Sequence, residues 1–255
     1  MIARAVVVAV LWFGATSAQA EPWYRGQYGT NRIVHLSITV VGGIAYPATA
    51  WAQDRLAPTS CSWCSPTGLD VATRDALRWD DRKTPGTLSD ATAFVLSPAV
   101  GVGLILLHTP PTWADVIDNL VPIGESMVVT EWVTRSIKLA VGRERPYAHY
   151  GASDSAEDNL SFPSGHTSRA FALATSAGMI AHMRGYSIEP MVWAVGMTLA
   201  ATSGYLRIAA DNHYLTDVLA GAALGAAAGL TVPLLMRREI EVVPTGRGMA
   251  LAGTW

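Results

Sequence analysis

Three short stretches hold the residues whose types and spacing could do chemistry. The first is Lys138-Leu-Ala-Val-Gly-Arg-Glu-Arg145-Pro146. Lys138 and Arg145 stand seven apart, two helical turns, so both cations share a face if the helix continues, and Pro146 is where it stops. Such a pair forms an oxyanion clamp, the arginine suited to bidentate phosphate contacts. The alternative is a basic helix end whose stems snorkel at a membrane surface. The second stretch, Ser161-Phe-Pro163-Ser164-Gly165-His166-Thr-Ser-Arg169, runs straight into apolar sequence. Ser164 is placed as an N-cap, Gly165 admits a ligand close to the backbone, and free N–H groups at a helix start bind phosphate. His166 would face that anion and hand a proton to a leaving oxygen. Its bland reading is an exposed histidine on an ordinary capped helix. The third stretch is Arg207-Ile-Ala-Ala-Asp-Asn-His213-Tyr-Leu-Thr-Asp217. One turn separates His213 from Asp217, so the carboxylate can hold one ring nitrogen and leave the other free to attack. Arg207 adds a third cation, although a His–Asp pair also simply stabilises helix starts.

Together the three stretches supply what phosphoryl transfer needs: cations and backbone donors around the equatorial oxygens, a nucleophile and an acid. No acidic cluster suggests a divalent metal, so the cations take over its role.

The elements that must position these groups read as helices. Half of the 255 residues are hydrophobic and 15% are charged, below the roughly 25% usual in soluble domains. Ile33 to Gln53 and Ala91 to Ala114 carry no Asp, Glu, Lys or Arg, the second being interrupted by Pro98, Pro110 and Pro111. Asp54 to Asp90 between them is polar, with one short helix expected around Leu69 to Trp79. Asp115 to Val141 is amphipathic, and Gly142 to Ser161 is charged and loop-like. Helices are expected over Ser168 to Met183, Pro190 to Leu206 and Asp217 to Met236, the last rich in the Gly and Ala that let helices approach closely. No stretch alternates as a strand. The pattern predicts an all-α bundle of about six core helices, with each polar stretch at a helix end. Residues 239–255 form a tail, either a short strand or hairpin or without order.

Residues 1–20 read as a secretory signal, with Arg4, an apolar run from Ala5 to Phe13, and the small-x-small site Ala18-Gln19-Ala20. Export to the periplasm or its membrane face follows. Six complete spans after cleavage would put the Lys138 loop inside the cell, so either the signal stays as part of a different arrangement, or one helix fails to span, or the bundle is soluble. Cys61 and Cys64 are a candidate local disulfide in an exported chain, and two thiolates cannot complete a structural zinc site. A net charge of −2 without a basic tract gives no reason to expect nucleic acid.

The motifs resemble those of the type 2 phosphatidic acid phosphatase superfamily, shared with bacterial acid phosphatases and vanadium haloperoxidases. Its pattern is Lys-x6-Arg-Pro, then Pro-Ser-Gly-His, then Ser-Arg-x5-His-x3-Asp. Lys138, Arg145 and Pro146 match the first element, Pro163 to His166 the second, and Arg207, His213 and Asp217 the third. Leu206 stands where the family has serine, which removes a helper hydroxyl but no catalytic group. The resemblance implies a helical domain over 21–238 with its site at one end of the bundle. It also implies a phosphohistidine intermediate without cofactor or metal. His213 would be nucleophile, Asp217 its orienting partner and His166 the general acid. Lys138, Arg145, Ser164, Gly165 and Arg207 would hold the phosphate. In the active form His213 would be neutral and His166 protonated. The substrate would be a phosphorylated lipid, with membrane association, the aromatics Trp113, Trp132 and Trp193 near helix ends being in keeping with an interface. A soluble periplasmic acid phosphatase acting on small phosphoesters is the alternative, followed by a vanadium haloperoxidase and a non-enzymatic envelope protein of the same fold.

Overall fold

The computed structural model describes residues 32–49, 52, 55–151, 153–237, 241–245 and 248–252. The expected signal at 1–20 lies outside them. Six long helices carry the fold: α1 (Arg32–Ala48), α3 (Lys83–His108), α4 (Trp113–Val141), α6 (Gly165–Met183), α7 (Glu189–Ala209) and α8 (Leu215–Arg237). A shorter helix α2 (Gly68–Leu77) and a single turn α5 (Pro146–His149) lie in the connections. The tail forms an antiparallel hairpin of β1 (Glu241–Thr245) and β2 (Gly248–Ala252), with Glu241 opposite Ala252. The all-α expectation holds for the domain, and the tail takes the hairpin form of its two readings.

Small residues make α6 the central helix. Its Ala, Ser and Gly side chains let α8, α7, α4 and α3 pack around it. On α8 the glycines recur every fourth residue, which is one face. A Cβ at Gly221, Gly225 or Gly229 would lie 2.6, 2.0 or 2.6 Å from the carbonyl oxygens of Ser164, Ser168 and Ala172. The two backbones are thus in contact, and their register fixes where α8 places its first turn. Ile105, Ile123, Leu173, Ile180 and Val192 form the main core cluster between α3, α4, α6 and α7.

Several boundaries depart from the sequence reading. Pro98 does not interrupt α3. The helix widens into a π turn at Thr92–Leu96, where the Ser97 N–H bonds back to Thr92 O. That wider turn absorbs the steric demand of the proline and its missing donor. α4 ends at Val141, as its amphipathic stretch does, with Gly142 in the left-handed region (φ 57°) as its C-cap, so the helical face that Lys138 and Arg145 would have shared does not form. Trp132 lies well inside α4, donating to Gly42 O at 3.2 Å, and Trp193 packs on Gly178. Of the three tryptophans only Trp113 is exposed at a helix end.

Candidate functional site

All three sequence stretches meet at one end of the bundle. Lys138 comes from the last turn of α4, Gly165 and His166 from the first turn of α6, and Arg207 from the last turn of α7. Arg145 and His213 come from the loops preceding α5 and α8. These six line one cavity of about 340 Å³. Arg145 arrives by a loop rather than by the helical face expected for it. After Gly142 turns the chain, the Arg145 N–H donates to Asp158 O at 2.7 Å, which anchors it beside Lys138.

The turn that delivers His213 is unusual. Asp211 sits at φ 61°, a conformation that costs a non-glycine residue about 1 kcal/mol. Its buried carboxylate receives Arg74 Nε at 2.6 Å and Arg74 Nη2 at 2.9 Å, a fork that holds the turn in place. The Asn212 and His213 N–H groups then donate back to Arg207 O. Helix α2, within the polar excursion, therefore braces the loop of the proposed nucleophile.

His213 is 2% exposed. Its Nδ1 lies 3.6 Å from Asp217 Oδ2 and 3.5 Å from Ser161 Oγ. The Asp217 carboxylate is also bound by Ser161 Oγ (2.6 Å), the Tyr214 N–H (2.9 Å) and Arg143. Burial, followed by the fields of Lys138, Arg145 and Arg207, holds the His213 imidazole well below its ordinary pKa. These effects favour the neutral form of the ring.

His166 differs from expectation. Its Nε2 lies 2.7 Å from Asp90 Oδ1, and its ring meets Phe94 edge-on at 4.9 Å, both partners supplied by α3 around the π turn. Burial, then Arg207 and Arg169, press its pKa down to about 2. Asp90 pulls the other way, but its side chain is 60% exposed and water screens it. Burial first, and then the four cations Arg207, Arg169, Arg145 and Lys138, thus favour the neutral ring rather than the protonated one expected.

Two of these cations, Lys138 and Arg207, are poorly compensated. Lys138 Nζ donates to the carbonyls of Leu160 and Ser161, and burial with Arg145 nearby lowers its pKa well below the usual lysine value. Arg207 is lowered to about 9, first by burial and then by Arg145, and its buried Nε has no hydrogen-bond partner among the described residues. An orphaned guanidinium N–H facing other cations is arranged to receive an anion.

Two expected residues stand behind the cavity rather than on it. Ser164 is fully buried, its N–H bonded to Asp217 O at 3.0 Å and its hydroxyl to Thr167 Oγ1 at 2.9 Å. It caps no backbone group and fastens α6 to α8. Asp217 is likewise enclosed. Sequence reasoning missed Asp90, Glu157, Ser161 and Arg143, all of which contact site residues. Arg143 and Ser161 lie inside the quoted motifs; Asp90 and Glu157 carry no local signal.

A family model of the PAP2 superfamily matches residues 119–241, a span that takes in every residue of this cavity except those of α1 and α3. The match spans just under half of the chain. Lipid A 1-phosphatase of Porphyromonas gingivalis is 39% identical over 92 residues, 36% of this chain and 18% of that protein. The chain thus spans less than a fifth of that relative's length. A solved transmembrane PAP2 type phosphatidylglycerolphosphate phosphatase from Bacillus subtilis is similar at TM-score 0.48 and 20% identity. That similarity covers 79% of this chain and 94% of the other. The Cys61–Cys64 disulfide is formed.

Proposed function

We propose that this protein is a PAP2-type phosphatase acting on lipid phosphates through a phosphohistidine at His213. The observation that carries the reading is the convergence of Lys138, Arg145 and the unpartnered Arg207 Nε on a cavity that also presents His213 and His166. Asp217 and Ser161 lie beside His213 Nδ1, so Nε2 is the nitrogen that attacks. In the first step Nε2 bonds to phosphorus as the bond to the ester oxygen breaks, and His166 passes that oxygen a proton. In the second, water attacks phosphorus, His166 takes its proton, and the P–N bond breaks to release inorganic phosphate. Because His166 is neutral in the protein alone, the proton enters with the substrate phosphate, whose second pKa is about 6. The three cations and the N–H groups opening α6 receive the equatorial oxygens.

A lipid substrate is supported by what surrounds the cavity. An adjoining cavity of about 250 Å³ is lined by Gly43, Ala93, Pro98, Met127 and Val128, and shares Tyr46, Phe94, Glu131 and Arg169 with the first. It offers apolar room next to the transferred phosphate. Helices α3 and α8 are long and apolar enough to cross a membrane, and only 28% and 33% of their apolar windows are buried. Core helices of a soluble protein would be mostly covered. Leu106, Leu107, Leu234 and Leu235 are among the large side chains left exposed, which supports membrane association.

The test is phosphate release from a detergent-dispersed lipid phosphate and from p-nitrophenyl phosphate, with His213→Ala as the blank. A lipid preference is expected. Preference for the small ester would favour the soluble acid phosphatase, and release unchanged in His213→Ala would end the phosphohistidine mechanism.

A further inference from the structure

We propose that Arg143 is a positioning residue of the reaction: it fixes the Asp217 carboxylate behind His213, and is itself held by Asp70 and Trp63. The proposal rests on the phosphohistidine reading above. Arg143 is 1% exposed and does not line the catalytic cavity, so it cannot act as another phosphate ligand. Its Nη1 donates to Asp217 Oδ1 at 2.5 Å and to Thr216 Oγ1 at 2.6 Å, while Nη2 donates to Asp70 Oδ2 at 2.7 Å. The guanidinium lies 3.9 Å from the Trp63 ring centroid and 4.5 Å from that of Tyr214. Between two rings and two carboxylates, it has one geometry open to it.

The consequence falls on Asp217. Its Oδ2 accepts Ser161 Oγ and the Tyr214 N–H and faces His213 Nδ1; its Oδ1 is fixed by Arg143. Donors on both oxygens stop the carboxylate from rotating. Without Arg143, Oδ1 is a buried, unpaired anionic oxygen, and the group must turn to find another donor. His213 Nδ1 would then lose the oxygen that selects its tautomer. Asp70 completes the arrangement at fixed register, because its Oδ1 accepts the Thr216 N–H at 3.0 Å at the start of α8. One carboxylate thus ties Arg143 to the helix that carries Asp217.

This also gives the Cys61–Cys64 loop a purpose. The disulfide closes a tight loop around Ser62 and Trp63. The Ser62 N–H donates to Gly142 O at 2.9 Å, and the Glu144 N–H to Trp63 O at 3.1 Å. Trp63 is thereby laid over Arg143 and against Phe162, ring centroids 5.5 Å apart. Phe162 directly precedes Pro163-Ser164.

The experiment measures kcat and KM for p-nitrophenyl phosphate, with the inhibition constant for inorganic phosphate, in wild type, Arg143→Lys and Asp70→Asn. Lysine keeps the charge but cannot bridge two carboxylates. Displacement of catalytic groups by about an ångström costs up to about 100-fold. We expect kcat to fall by that order in Arg143→Lys and by about tenfold in Asp70→Asn, with phosphate inhibition within about threefold of wild type. If Arg143→Lys does not fold, Asp70→Asn carries the test. Wild-type kcat in the folded variants overturns the proposal, as does a loss of phosphate affinity in step with kcat, which would make the pair a general scaffold. Absence of phosphate release from wild type, on both this ester and a detergent-dispersed lipid phosphate, would instead overturn the phosphatase reading itself.

Discussion

Arg145 and Glu157 are paired across the mouth of the site. Arg145 Nε donates to Glu157 O at 2.9 Å, and Nη2 donates to the Glu157 carboxylate. The carbonyl contact holds the arginine in position, whereas the carboxylate occupies a donor that a phosphate oxygen needs. Glu157 is the more exposed partner, its side chain 44% exposed against 8% for Arg145.

Glu157→Gln should therefore improve substrate binding. The neutral amide keeps the shape but competes less strongly for a charged guanidinium. KM is expected to fall about threefold with kcat little changed, because the substitution acts on the ground state. Steady-state kinetics on p-nitrophenyl phosphate check this. A rise in KM would show that Glu157 organises Arg145 for substrate rather than competing with it.

The pH profile follows from the two histidines. His213 is held well below its usual pKa, so falling pH does not protonate the free enzyme's nucleophile in the mildly acidic range. His166, lowered to about 2, supplies no proton until the phosphate brings one. kcat/KM should then be level through mildly acidic pH and decline above about pH 6, where the substrate loses its second proton. The alkaline limb should move with the substrate's own phosphate pKa when esters of different acidity are compared. An acid limb near pH 6.5, where an unperturbed histidine titrates, would sink this account.

Much of this site was legible because phosphate chemistry draws on residue types that cluster in sequence. Lys138 and Arg145, Gly165 and His166, and Arg207 and His213 each sit within a few residues of one another at a helix end. The six-helix reading succeeded for the same reason, since apolar runs of this length have few other folds. What could not be read depends on contacts across long separations. Asp70 reaches Thr216 and Arg143, Asp90 reaches His166, and Arg74 forks Asp211. Asp70, Asp90 and Arg74 all come from the polar excursion, where a short helix was expected but nothing linked it to the site. Arg145 was placed correctly for a wrong local reason, since Gly142 ends the helix first. Ser164 looked like a phosphate contact because its N-cap position was legible and its hydroxyl's partner Thr167 was not.

Arg207 trades stability for function. Its Nε is unpaired among the described residues, and burial, followed by neighbouring Arg145, lowers its pKa to about 9. Replacing a poorly compensated buried cation with a side chain of similar volume is often stabilising. Arg207→Met should thus raise thermal stability in phosphate-free buffer, by about 1 kcal/mol. Saturating phosphate should stabilise wild type by about 3 kcal/mol at a hundred times its dissociation constant, and the variant by little. Thermal melts with and without phosphate check both halves. A variant less stable than wild type in both buffers would mean that the Asp90 contact at 3.8 Å outweighs the desolvation of Arg207.

The closest backbone approach in the bundle links packing to chemistry. At Gly225 a Cβ would lie 2.0 Å from Ser168 O and 2.9 Å from the Ala172 N. Backbone atoms cannot swing aside as a flexible side chain would, so Gly225→Ala must push α8 away from α6. Overpacking of this kind costs about 1–3 kcal/mol. The same displacement strains the Ser164 N–H to Asp217 O bond, two turns nearer the site, and so separates His166 on α6 from the His213–Asp217 pair at the start of α8. Gly225→Ala should lower both melting temperature and kcat. Gly103→Ala serves as the control, because a Cβ there meets nothing within 4 Å and alanine favours a helix; it should leave both nearly unchanged. Should Gly225→Ala lower stability while sparing kcat, the site would tolerate a shift of α8, and the glycine face would matter for folding alone.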